Sequence, residues 1–164
     1  MAYTKENFEE WIILIPFKME YFTDTFAGEN NLNLDYSIDS LDELENWILG
    51  NYSGIKDLIK DAKTLDYLTV YIGETFRKHI GGEWFIDLKN KKNAYYSMPV
   101  LTSPDYIGEV YIASMTFATA CINRKNGNYI STILKNCMED MNIRPRLFIG
   151  NSMKVAESHI ITIF

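Results

Sequence analysis

The chain has 164 residues, 47% hydrophobic and 23% charged, enough to bury one core without a metal or disulfide staple and too apolar for a disordered tail or linker. Sixteen Lys and Arg stand against 22 Asp and Glu, a net charge of −6, which disfavours a nucleic-acid or anionic-membrane binder because those need a positive footprint. The expected architecture is α+β, a single domain over residues 1–164, with helices at about 40–49, 62–80, 104–122 and 129–140 on a small antiparallel sheet of 83–88 and 94–101.

In chain order, Asn7 to Leu14 reads as a short amphipathic helix with Phe8, Trp11, Ile12 and Ile15 inward, stopping before Pro16, since a residue before proline is pushed out of helical geometry. Trp11 to Phe17 is apolar but too short to span a bilayer and lacks a basic flank, so no signal peptide is read there and the expected location is cytoplasmic. Thr23 to Asn33, with Gly28 and three Asn, reads as a loop, and Leu32, Leu34 and Tyr36 alternate as in an edge strand. From Met19 to Ile55 the chain holds eight carboxylates and no Lys, Arg or His. Such asymmetry would steer a basic partner, although it also suits a solvated face and helix capping.

Ser40 followed by Glu43 reads as a capping box, with Leu41, Leu44, Trp47 and Ile48 at helical spacing behind it. The longest helix is expected at 62–80, with the stripe Leu65, Leu68, Ile72, Phe76 and Ile80, and Tyr67 and Tyr71 on its flank. Gly73 inside it costs about 1 kcal/mol relative to Ala, which close approach of another backbone would explain. Gly81-Gly82 ends the helix, and Trp84, Ile86 and Leu88 alternate as a strand that returns at Ala94 to Leu101. Ser103-Pro104 opens a charge-poor helix to Ile122, read as the central buried one. After the Asn126-Gly127-Asn128 turn, Tyr129 to Asp140 is a further helix. Ser152 to Phe164 suits a terminal helix, whereas Ile160 to Phe164 has strand composition. Tyr71-Ile72-Gly73-Glu74 recurs as Tyr106-Ile107-Gly108-Glu109 without repetition of its surroundings.

Phosphate loops, zinc-binding histidine pairs, nucleophile elbows and Cys-x-x-Cys spacings are all missing, so neither a cofactor nor a metal is expected. Cys121 and Cys137 sit at inward helical positions, where packing is favoured over a nucleophilic pair with His79. Glu74, Arg77, His79 and Glu83, with Asp87 beyond, form the densest group of potentially active side chains. Glu74 and His79 near a helix end are the acid–base candidates of a small hydrolase. The competing reading makes them structural.

The run Tyr71-Ile72-Gly73-Glu74 to Arg77, then Gly81-Gly82-Glu83-Trp84, resembles a helix-then-strand segment of small bacterial proteins of the toxin-immunity type. The resemblance spans roughly residues 62–101. It implies a cytosolic bacterial protein that sequesters or blocks a toxin, with Glu74, Arg77 and Trp84 as framework. On this reading the function is non-enzymatic. Asp35, Asp39, Asp42, Glu43 and Glu45, with Tyr95 and Tyr96 as aromatic contacts, would occlude a basic toxin domain. The alternatives are a homodimeric structural or regulatory module and the Glu74–His79 hydrolase.

Overall fold

Thr4 opens the first helix of the computed structural model, which describes residues 3–108, 110–143, 146–149 and 152–155. The Thr4 hydroxyl accepts the Asn7 N–H and the Asn7 side chain accepts the Thr4 N–H, a reciprocal cap that starts α1 (Lys5–Glu20). Pro16 lies within α1 and does not end it. Pro16 is on the exposed side, while Trp11, Ile15, Met19 and Phe22 continue one buried face past it. Packing thus outweighs the one hydrogen bond that proline removes. The expected loop is helical as well: a π-helical stretch, Tyr21–Phe26, leads into α2 (Ala27–Glu29). Phe22 stacks on Phe26 at 4.4 Å, a contact that a coiled backbone delivers from adjacent turns, and Phe26 meets Trp47 edge-on at 4.9 Å.

No strand forms at 32–36. Leu34 and Tyr36 are buried as the alternation implied, but Asn31 and Tyr36 take positive φ and the segment is a bend leading to α3 (Ile38–Asn51). The N-cap of α3 is Ser37, not Ser40: the Ser37 hydroxyl accepts the Ser40 N–H, and Ser40 turns inward. A short α4 (Ile55–Lys60) precedes α5 (Ala62–Ile80), whose first turn is capped by Asp61.

The central helix is α5 rather than the 104–122 segment. Its residues from Leu68 to Gly73 are all buried, and Tyr71, expected on the flank, is fully enclosed. Beyond it, β1 (Glu83–Phe85) pairs antiparallel with β2 (Val100–Thr102), Trp84 opposite Leu101. The sheet is shorter than expected because Asp87 organises a turn. Its carboxylate accepts the N–H groups of Lys89 and Asn90 and the Asn93 side chain, which takes 94–99 out of strand pairing apart from one parallel bridge from Asp87 to Tyr96.

The helix expected at 104–122 begins ten residues late, as α6 (Ser114–Arg124). Turns occupy 104–107, the Tyr106 hydroxyl donates to Gly81 O, and Ile112 exchanges both backbone hydrogen bonds with Leu101. Tyr71 and Tyr106 therefore stand in unlike settings, one in a helix and one in a turn; Glu109 lies outside the described residues. Helix α7 (Tyr129–Asp140) falls where its periodicity placed it. A separate hairpin joins β3 (Arg146–Ile149) to β4 (Ser152–Val155), Leu147 opposite Lys154. Strand backbone at Ser152–Val155 replaces the start of the helix considered for 152–164; the rest of that range, with the Ile160–Phe164 strand reading, lies outside the described residues. One core joins α1, α3, α5, α6 and α7 through Trp11, Leu44, Ile72, Ala118 and Leu134. Among the described residues no helix is long and apolar enough to cross a membrane.

Candidate protein-binding surface

The acidic stretch is spread over the π-helical segment, α2, the bend and the first turns of α3, and its carboxylates have unlike fates. Asp35 works locally, accepting Ser37 N–H at 3.0 Å and the Asn33 amide at 3.3 Å. Glu43 is exposed and accepts Asn33 N–H at 2.9 Å, tying the bend to α3. Asp39 is exposed on the first turn of α3, and Asp42 is half-buried. Glu45 cannot contact a partner: it is 0% exposed and accepts the Ile130 N–H at 2.9 Å. The Asn128 side chain does not cap α7, so a carboxylate from α3 serves the orphan donor there and lies against the positive end of that helix. The helical moment of α3 places Glu45 beside Leu41, Leu44 and Ile48, but which element would meet it there was invisible in the sequence.

Tyr95 and Tyr96 lie in the turn organised by Asp87 instead of a strand, and both are half-buried. Tyr95 meets Tyr111 edge-on at 6.0 Å, and the Tyr96 backbone bonds Asn93. They are spent largely on shaping this turn, and the structure does not bring them to the acidic face.

The alternative cluster separates in the same way. Glu74 and His79 are five residues apart on α5, about 140° around the helix. Glu74 accepts the Trp84 indole N–H at 2.7 Å and the Arg77 guanidinium at 3.4 Å, while Arg77 also donates to Gly82 O. Trp84 fills the space a side chain at residue 73 would need, so an indole, not another backbone, explains Gly73. His79 is 1% exposed and its Nε2 lies 2.9 Å from Tyr36 O; a carbonyl only accepts, so Nε2 carries the proton there. The Tyr36 N–H donates to the Tyr71 hydroxyl at 2.9 Å. Thus α5 grips the left-handed Tyr36 by both backbone groups. Glu83 is exposed on β1.

Burial pushes the Cys121 thiol up to about 12, with Glu45 adding to the shift, and burial also raises Cys137. Neither has the lowered pKa of a reactive thiol. Among the described residues no three His, Cys, Asp or Glu side chains are grouped to hold a metal ion.

Sequence reasoning passed over one site. A hollow of about 470 Å³ opens where α1 meets the π-helical segment, lined by Pro16, Glu20, Asp24, Tyr36, Glu74 and Lys78 among others. Three carboxylates share it with one ammonium, and Lys78 Nζ lies 4.7 Å from the centre of the Tyr36 ring. Burial first, then Glu74 and Asp24, push the Tyr36 hydroxyl up to about 12. Beside the hollow, Ile13 and Phe17 are 68% and 67% exposed on α1. The signal was present in α1, whose apolar residues exceed what one buried face can use, but reading Pro16 as a stop cut the helix short of it.

Comparison with family models, with curated proteins and with solved structures found no match for this chain.

Proposed function

We propose that this is a binding protein that acts by occlusion and breaks no bond. Its partner is a protein with a basic surface, and an immunity-type protein covering a toxin domain is the particular form of this class that we favour. The observation that supports the reading is the surface left after the internal uses of the acids are subtracted. Glu20, Asp24, Glu29 and Asp39 remain exposed on consecutive elements, with Glu43, exposed although it also accepts the Asn33 N–H, beside them. Among the described residues none of the five is in an ion pair; the pairs are Lys5–Glu9, Lys18–Asp66 and Arg77–Glu74. An unneutralised acidic face raises the encounter rate with a basic partner and rejects acidic ones.

The test is affinity capture from host lysate and culture medium, followed by binding of each captured basic protein at about 0.1 and 0.5 M salt. The E20Q/D24N/E29Q/D39N/E43Q variant is measured alongside. A stoichiometric basic partner whose affinity falls steeply with salt, and is lowered by a similar factor when the five acids are neutralised, supports the reading. Affinity indifferent to both salt and the five substitutions would refute it.

A further inference from the structure

One long helix of this fold is apolar on two opposite faces. Trp11, Ile15 and Met19 bury the inner face of α1. On the other side Ile13, Leu14, Phe17 and Tyr21 recur at spacings of three and four, so they line one stripe. Their exposures are 68%, 40%, 67% and 37%. A helix with a second apolar stripe left in solvent marks a surface that another molecule covers.

The charges around the stripe say what that molecule is. Glu10 lies one turn before Ile13 and Leu14, and Glu20 one turn beyond Phe17, with Asp24 after it; all three are exposed. The two cations of α1 are already engaged. Lys5 is 3.8 Å from Glu9, and Lys18 is 2.6 Å from Asp66 and 5.4 Å from the Trp11 ring. Lys63, from α5, lies over the Tyr21 and Tyr67 rings. At the end of the stripe the hollow is lined by Glu20 and Asp24; its third carboxylate, Glu74, is held by Trp84 and Arg77, and Lys78 lies over the Tyr36 ring. Glu20 and Asp24, exposed beside the stripe, suit a lysine or arginine side chain of a partner. A second copy of this chain is disfavoured, because a two-fold contact would set the acids that flank the stripe, Glu10, Glu20 and Asp24, against those of the other copy. An anionic lipid surface is repelled for the same reason.

We propose that the outer face of α1 docks a basic amphipathic helix of the partner, its apolar stripe covering Ile13, Leu14 and Phe17 and one lysine or arginine seated against Glu20 and Asp24. This rests on the acidic binding function proposed above and names its contact surface. Apolar side chains there supply the affinity, as in other helix-in-groove contacts, and the acidic rim supplies register and approach.

The probe is a synthetic helix of about 18 residues, roughly five turns, with leucine on one face and lysine and arginine on the other. A peptide of the same composition with its leucines dispersed serves as control. Binding is measured to the wild-type protein, to I13S/F17S, to E20Q/D24N and to D39N/E43Q, with circular dichroism confirming each fold. The expected result is that I13S/F17S weakens the amphipathic peptide about tenfold or more while its salt dependence persists. E20Q/D24N should flatten that salt dependence, D39N/E43Q should change little, and the dispersed peptide should bind about tenfold more weakly. Unchanged binding to I13S/F17S, or equal binding of the two peptides, overturns the docking surface. If D39N/E43Q then carries the salt dependence, the acidic function survives with its contact moved to α3. Indifference to salt and to every variant defeats both. A wild-type dimer in sedimentation that I13S/F17S dissolves assigns the stripe to a second copy and also overturns the proposal.

Discussion

Gly73 is fixed by Trp84, eleven residues further along the chain. A Cβ at this position would collide with the Trp84 ring, and Ser114 Oγ lies 3.2 Å off on another side. The indole cannot swing clear cheaply, since its N–H is bound to Glu74 at 2.7 Å and its ring meets Trp11 edge-on at 4.9 Å. Gly73→Ala would gain about 1 kcal/mol of helix propensity in an open helix. Here it is expected to cost about 1–3 kcal/mol net, as overpacked cores do. Urea unfolding measures it, and the cycle with Trp84→Ala isolates the cause. In the Trp84→Ala background, Gly73→Ala should become neutral or stabilising. A loss of equal size in both backgrounds would show that the indole is not responsible. At this scale the sequence showed that Gly73 needed a reason, and three-dimensional packing supplied a different one.

At the scale of elements, α3 and α7 are joined through one buried carboxylate. Helix α7 begins without a side-chain cap from Asn128, and Glu45 accepts from Ile130, 85 residues away in sequence. Glu45→Ala leaves that N–H buried without its acceptor and is expected to cost about 2–3 kcal/mol. Glu45→Gln keeps an acceptor oxygen and should cost less. An alanine variant as stable in urea as the parent would remove Glu45 from the account of α7. Elements with strong local patterns were legible: α5 and α7 span the residues their stripes demanded. The failures have physical causes too. Pro16 was overruled by a buried face, and Tyr106 and Ile112 tied 104–112 to Gly81 and Leu101, so no helix could start before Ser114.

At the scale of the molecule, five of the 11 tyrosines, Tyr3, Tyr36, Tyr52, Tyr71 and Tyr106, hold neutral hydroxyls in places that disfavour ionisation. Burial pushes Tyr36 up to about 12, with Glu74 and Asp24 adding to it. Burial and the bond to Asp61 bring Tyr52 to about 12. Burial raises Tyr71 and Tyr106 as well. Tyr71 accepts from Tyr36 N–H and shares a hydrogen bond with Ser40, which itself donates to Ser37 O. Its hydroxyl therefore links α5 to the bend before α3. Because the folded values lie above the unfolded value near 10, their contribution is fully present below about pH 10 and is lost as pH rises through about 12. Ultraviolet titration should show Tyr36, Tyr52, Tyr71 and Tyr106 still protonated at about pH 11 and ionising together with loss of helical ellipticity. Eleven tyrosines titrating in one wave with the fold intact would contradict this.

The amino-acid sequence by itself determined the α+β class, the two helices with the strongest stripes and the acidic bias of residues 19–55, because periodicity and charge are local properties of a chain. Tertiary structure decided which acids reach solvent. It spent Glu45 on another helix and Glu43 on a bend, and it exposed Glu20 and Asp24 beside Phe17. It also decided that α1 has an outer apolar face, since a helix shows which side is covered only once its neighbours are in place. Charge can be counted along a chain, but whether a charge is free depends on contacts between residues far apart in it.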